Sequence, residues 1–159
     1  EYLANDILPL VWKRLPEVKM YIAGATPDPR VRKVACNRII ISGWLDDMRD
    51  AYAQSKIFIA PMRIGTGLQN KLLEAMSMKL PCITTSLANN SLGAENGKEI
   101  LVGNKEQELA EHIITLLTNK DKANEIAQNG YDFVRHVYDW GEATKIMENE
   151  MNLKLKTEN

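Results

Sequence analysis

What this sequence has little of excludes several protein classes. It holds two cysteines, Cys36 and Cys82, far apart and without metal-ligand spacing. Both read as small core hydrophobes in a reducing compartment, so the expected location is cytoplasmic. For the intact protein, a peripheral position at the inner membrane face stays open. No run approaches the ~20 apolar residues of a membrane span. No polybasic run occurs, and the formal net charge is −1 with both signs spread along the chain. That argues against a nucleic-acid partner, which needs a basic patch, and against strong electrostatic attachment to a membrane. No pair of Asp or His has convergent spacing near the loops of interest, so no metal is expected; no cofactor is expected either. The two histidines fall outside the loops of interest. His112 sits in an amphipathic helical pattern and His136 precedes the Val137-Tyr138 turn, so both read as surface or packing residues. No internal repeat or low-complexity tract is present.

What is there is an alternation of strand and helix signals over 159 residues, enough for one domain, 1–159, with a single core. Apolar residues Leu3, Ile7, Leu8, Leu10, Val11 and Leu15 recur at helix spacing over roughly 2–14. Strands are expected at 18–24, 38–43, 56–60, 82–85 and 100–102. Helices are expected at 46–54, 68–78, 105–118, 122–137 and 141–155, with a loop and short helix over 27–36. Asp46 or Asp47 can cap the second helix. Asp139 with Glu142 resembles a capping box for the last one. Residues 86–98 read as a polar, glycine-bearing loop. The Ile39-Ile40-Ile41 run fits a strand buried on both faces. The fold class implied is α/β: a Rossmann-like, doubly wound, mainly parallel sheet in three α/β/α layers. Such a domain normally opens with a strand. The helical start predicts an excised piece, with one upstream strand and an upstream domain belonging to it.

The segment from Ala60 to Met76 carries the strongest functional signal. It reads as a buried strand ending at Pro61, a loop with Gly65 and Gly67, then a helix with one acid two turns in. Open N–H groups at a helix start favour phosphate. Glycines let a backbone approach a ligand closely. Gly67 to Glu74 spans about 10 Å at ~1.5 Å per residue, so a diphosphate and a neighbouring ribose would meet different parts of one element. Thr66, Asn70 and Glu74 follow one another at four-residue spacing, while Leu68, Leu72, Leu73, Ala75 and Met76 leave that stripe free. Taken alone, Gly-Thr-Gly reads more readily as an ordinary loop and Glu74 as an exposed helix acid.

The wider pattern resembles the C-terminal, donor-binding domain of retaining GT-B glycosyltransferases, glycosyltransferase family 4 (glycosyl transferases group 1). The matching pieces are Tyr21-Ile22-Ala23-Gly24, Ile39 to Trp44, Ala53 to Pro61, Gly65 to Met76, Pro81 to Thr85 and a late Tyr138-Asp139-Trp140. The P-x-x-x-G-x-G followed by N-K-x-x-E-A-M is the most specific. Two positions depart from the family. Of its two glutamates seven residues apart, Glu74 matches the second while Thr66 occupies the first, which puts donor identity and catalytic detail in question. Lys79 replaces the glycine that usually precedes the proline by two, so another residue must close the helix.

The resemblance implies a nucleoside diphosphate sugar as donor, with Gly65, Thr66, Gly67 and Leu68 on the diphosphate and Glu74 on the ribose. Arg63 and Lys71 are further diphosphate candidates; Arg63 is otherwise a solvated arginine, and Lys71 a partner of Glu74 or an outward lysine. Gly24, Ala25, Gly43, Trp44 and Asn70 are candidates for base or phosphate contacts, Trp44 being otherwise a packing residue. Catalytic residues are expected mainly in the N-terminal domain, which with a saccharide or lipid-linked acceptor completes the expected partners. The intact enzyme would transfer a hexosyl group with retention, and this domain alone would be inactive. Two alternatives remain: a nucleotide-sugar epimerase of the same architecture, and a non-enzymatic doubly wound interaction module. The second expects an acidic cluster at the first strand end, which Tyr21 to Gly24 lacks.

Overall fold

The structure is a computed structural model that describes residues 1–65 and 67–138. Thr66, the expected helix 141–155, the Asp139–Glu142 capping box and the Asp139-Trp140 pair lie outside the described residues.

The chain opens with a π-helical turn, Leu3–Ile7, that runs into α1, Leu8–Trp12. Pro9 lacks the N–H that would continue the regular ladder, and the wider turn stands immediately before it. Then follow β1 (Met20–Ala23), α2 (Pro29–Arg32), β2 (Ile39–Gly43) and α3 (Met48–Ala53). The second half holds β3 (Phe58–Ala60), α4 (Asn70–Ser77), β4 (Cys82–Thr84), α5 (Ser86–Leu92), β5 (Leu101–Val102), α6 (Glu106–Thr118) and α7 (Lys120–Val137). All strand pairs are parallel. The class is thus the α/β, doubly wound one that the alternation predicts.

The hydrogen-bonded ladders form two groups, β1–β2 and β3–β4–β5. No described strand bonds both β1 and β3, which is why the sheet is divided. Side chains of the second group alternate between two cores, as a period of two requires. Ile57, Ile59, Ile83 and Leu101 face α1 and α6, joining Ile7, Val11, Leu109 and Ile113. Phe58, Ala60, Cys82 and Ile100 face the other way, toward Tyr52, Leu72, Met76 and Leu92. Burying each Leu or Ile fully contributes roughly 1.5–3 kcal/mol before entropy is counted. The opening helical segment touches both ladders. Its Ile7 and Val11 belong to the β3–β4 side, and its Ala4 and Leu8 pack with Met20, Ile22 and Ile39 of the β1–β2 side.

Four expectations need correction. The Ile39-Ile40-Ile41 strand is not buried on both faces: Ile39 packs under Ala4 and Leu8, whereas Ile40 and its ladder partner Tyr21, on the other face, are exposed. Residues 86–98 are not all loop: Ser86–Leu92 forms α5, closed by Gly93 in the left-handed region. Ala88 and Leu92 give it a buried face that polarity alone hid. The site helix begins at Asn70, two residues later than expected. Cys36 is exposed, not core, because it lies in the tight turn whose backbone bridges to Ile39; Cys82 is buried as expected. Asp47, of the two candidates, caps α3 by accepting from the Arg49 amide.

Lys79 itself closes α4. It takes a left-handed φ of 55°, alone among the described non-glycine residues. Leu80 N–H then donates to Ala75 O at 3.0 Å and Lys79 N–H to Met76 O at 3.0 Å, the Schellman pair that glycine normally permits. Lysine pays a steric penalty there, and its Nζ reaches Gln128 Oε1 at 3.1 Å. Replacing Lys79 by Gly or by Val removes the same side-chain contacts, so the difference isolates the backbone. Lys79→Val should be less stable than Lys79→Gly by about 1–2 kcal/mol, read from urea unfolding midpoints.

Candidate functional site

The carboxyl ends of parallel strands are where such sheets bind ligands, and here two buried threonines build that end. Thr84 Oγ donates to Ala60 O at 2.8 Å and Thr85 Oγ to Met62 O at 2.6 Å. Both threonines are buried. Their hydroxyls tie the exit of β3 to β4, so the loop after Pro61 starts from a fixed point. Residue pattern alone marked 82–85 only as a strand; these two anchoring roles were not visible in it.

That loop needs its glycines. Gly65 and Gly67 have φ of 137° and 86°, in the region where a side chain is strained. Gln69, extended, precedes α4 without a side-chain cap, and its amide group donates back to Gly67 O at 3.2 Å. These two residues keep Leu68 out of the helix. The backbone amides of Gly67, Leu68, Asn70 and Lys71 donate to no described group. All four residues are exposed. An uncapped helix start with free donors favours an anion. The amides presented therefore extend to Asn70 and Lys71, beyond the Gly65–Leu68 set expected from sequence. Thr66 lies outside the described residues.

Glu74 stands about one turn into α4, four residues after Asn70. Its Oε2 accepts the Tyr52 hydroxyl proton at 2.7 Å, and its other oxygen accepts no bond from the described residues. The residue is exposed, whereas Tyr52 on α3 is 5 % exposed. Burial and the adjacent carboxylate push the Tyr52 phenol well above its ordinary pKa, so the hydroxyl stays a donor. Sequence reasoning missed Tyr52. The available signal was a hydroxyl-bearing aromatic on the inward face of the expected helix 46–54.

The basic candidates are placed differently from one another. Arg63 is exposed, with its guanidinium carbon 4.8 Å from the centre of the Tyr2 ring, a cation–π contact at the start of the chain. Lys71 is exposed, and no ion pair among the described residues joins it to Glu74.

The remaining two loops meet each other. Gly24 N–H donates to Gly43 O at 3.3 Å, which ties the ends of β1 and β2 together. A hollow of about 180 Å³ opens there, lined by Ile22, Gly24, Ala25, Thr26 and Ile41. Trp44 is 72 % exposed, with its indole N–H on Asp46 at 3.1 Å. It is therefore not the packing residue that its place beside a strand end suggested. His112 Nε2 lies 3.1 Å from Val102 O, and His136 Nδ1 2.7 Å from Asp132 O; both are engaged with backbone. Among the described residues no group of three His, Cys, Asp or Glu could hold a metal, and no helix is long and apolar enough to cross a membrane.

Free amides at a helix start, one arginine and one lysine side chain, a carboxylate one turn along and a hollow after β1 are thus the features of this doubly wound α/β domain that bear on ligand binding. The profile of the Glycosyl transferases group 1 family matches residues 1–119. The chain belongs to that family. A relative from Klebsiella pneumoniae, an uncharacterized 44.6 kDa protein in the cps region, is 30% identical over 145 residues, covering 85% of this chain and 37% of its own length. The chain thus spans well under half of that relative. Anabaena HepE, solved in complex with UDP and glucose, superposes with a TM-score of 0.77 at 16% identity, over 92% of this chain and 43% of HepE. The C-terminal domain of LpcC, a glycosyl transferase group 1 protein from Francisella tularensis, gives 0.70 at 22% identity, over 87% of this chain and 78% of that domain. At such identities these two structures establish the shared fold.

Thr85→Val keeps the shape and removes the hydroxyl that holds Met62. It should cost about 1–3 kcal/mol in urea unfolding and speed amide exchange at Met62 to Gly65. Unchanged exchange there would show that the loop is anchored by something else.

Proposed function

We propose that this chain binds the nucleoside diphosphate sugar donor of a retaining glycosyltransferase. The observation that carries the reading is the uncapped start of α4 with Glu74 a turn below it, at the strand ends, in a chain of this family. The diphosphate would lie on the amides of Gly67, Leu68, Asn70 and Lys71, with Gly65 and Thr66 in the same loop. Arg63 and Lys71 would add charge. Those donors would stabilise the charge that grows on the leaving diphosphate, so no metal is invoked. The free oxygen of Glu74 would accept from a ribose hydroxyl. The base would lie toward Gly24, Ala25, Gly43 and the exposed Trp44. The whole protein would transfer a hexosyl group to a saccharide or lipid-linked acceptor, with catalytic residues supplied mainly by another domain. This domain alone would not transfer.

We further propose that a preceding segment supplies a parallel strand between β1 and β3. Two features support it. The opening helical segment packs on both ladders at once, and the β3 residues are only partly buried whereas those of β4 are fully so. A strand in that position would pair two open edges. It would also put the reversal of winding between β1 and β3, the crevice where doubly wound sheets take ligands.

UDP or GDP at millimolar concentration should shift the amide signals of Gly67 to Lys71 and raise the melting temperature. At one hundred times the Kd the gain is about 2.7 kcal/mol. Glu74→Ala should weaken that response, and silence with every nucleoside diphosphate would overturn the reading. In a longer product of the same gene, amide exchange in β1 and β3 should slow at least ~10-fold, about 1.4 kcal/mol of protection; equal exchange would exclude the inserted strand.

A further inference from the structure

The Tyr52–Glu74 contact joins two helices, and neither partner needs the other for its own packing. Tyr52 already fills the core beside Leu72, Ala75 and Met76, and its ring meets Phe58 edge-on at 5.9 Å between centroids. An apolar ring would fill that space equally well. Its hydroxyl instead ends at Glu74 Oε2, 2.7 Å away, on a residue that is otherwise exposed. A free surface glutamate samples many rotamers and would have to be ordered when a ligand arrives. A carboxylate held through one oxygen by a buried phenol is ordered beforehand. Its second oxygen remains available, and a bond between hydroxyl and charged carboxylate is of the stronger kind.

We propose that Tyr52 is a positioning residue for nucleotide recognition: its hydroxyl fixes one oxygen of Glu74 so that the other meets the ribose diol. This rests on the ribose role proposed for Glu74. Tyr52 touches no ligand itself. It acts through Glu74, from a different helix, and links the ligand site to the core packed on α3. The consequence is selective. Losing the hydroxyl should weaken recognition of the ribose diol and leave contacts to diphosphate and base alone.

The test compares UDP and GDP with their 2′,3′-dideoxy forms by calorimetric titration of the unmodified chain, Tyr52→Phe, Glu74→Ala and the double variant. The unmodified chain should prefer the ribo form. Tyr52→Phe should lose about five- to tenfold in affinity for it and less than about twofold for the dideoxy form. In the Glu74→Ala background, Tyr52→Phe should change neither. A purely structural tyrosine would weaken both nucleotides and would do so in either background. If the unmodified chain binds ribo and dideoxy forms equally, the ribose role of Glu74 fails and this inference with it. If it discriminates and Tyr52→Phe discriminates as well, only the role of Tyr52 fails. A second measurement needs no variant: the carbon resonances of Glu74 Cδ and Tyr52 Cζ should move together with the ribo form. A Tyr52 signal that stays still while Glu74 moves would overturn the inference even if Tyr52→Phe does not fold.

Discussion

Side chains of β3, β4 and β5 alternate between two cores, and helices cover both faces of that ladder. Such a sheet has no face left for water or ligand. Its backbone polar groups are met within the ladder, and unsatisfied groups can collect only at the strand ends and along an open edge. The loop after Pro61 lies at one such end. Thr84 and Thr85, buried where an apolar residue would be usual, use their hydroxyls to hold that loop in place. The free amides at the start of α4 are thus a consequence of how the sheet is closed above and below.

The same constraint explains the polar contact between α3 and α4. Both helices lie on one face of the ladder and share one core. Tyr52 and Leu72 are packed inward, and the hydroxyl of the tyrosine reaches the rim, where Glu74 stands. A buried phenol beside a carboxylate remains protonated throughout the physiological range. The site therefore contains one element fixed by core packing and one, the glycine loop, fixed by main-chain conformation. Diphosphate and ribose would be met by these two different kinds of order.

Much of this was legible in the residues. The alternation of short apolar runs with helical periods indicated a parallel α/β sheet, and Gly65 and Gly67 indicated a loop with left-handed backbone; the Ile39-Ile40-Ile41 run indicated a strand but not its burial, since Ile40 is exposed. The strands fall within the expected ranges to within two residues. Other points were not legible. Ser86–Leu92 is polar enough to read as loop, and it is helical because Ala88 and Leu92 find a core that only the packed chain provides. Cys36 was read as buried because cysteine usually is. Its turn places it outside.

Local chemistry, therefore, was decided by sequence: which segments alternate, where glycine frees the backbone, where an acid follows a helix start, and that these together resemble glycosyl transferases group 1. Those properties depend on residues close in the chain, so periodicity and motif carry them. Tertiary structure alone decided what lies across from what. The pairing of Tyr52 with Glu74, the tie of Thr85 to Met62 and the placing of one opening helix over two ladders join residues 22, 23 and more positions apart. No local pattern encodes such contacts, because they arise from the way helices are laid onto a sheet.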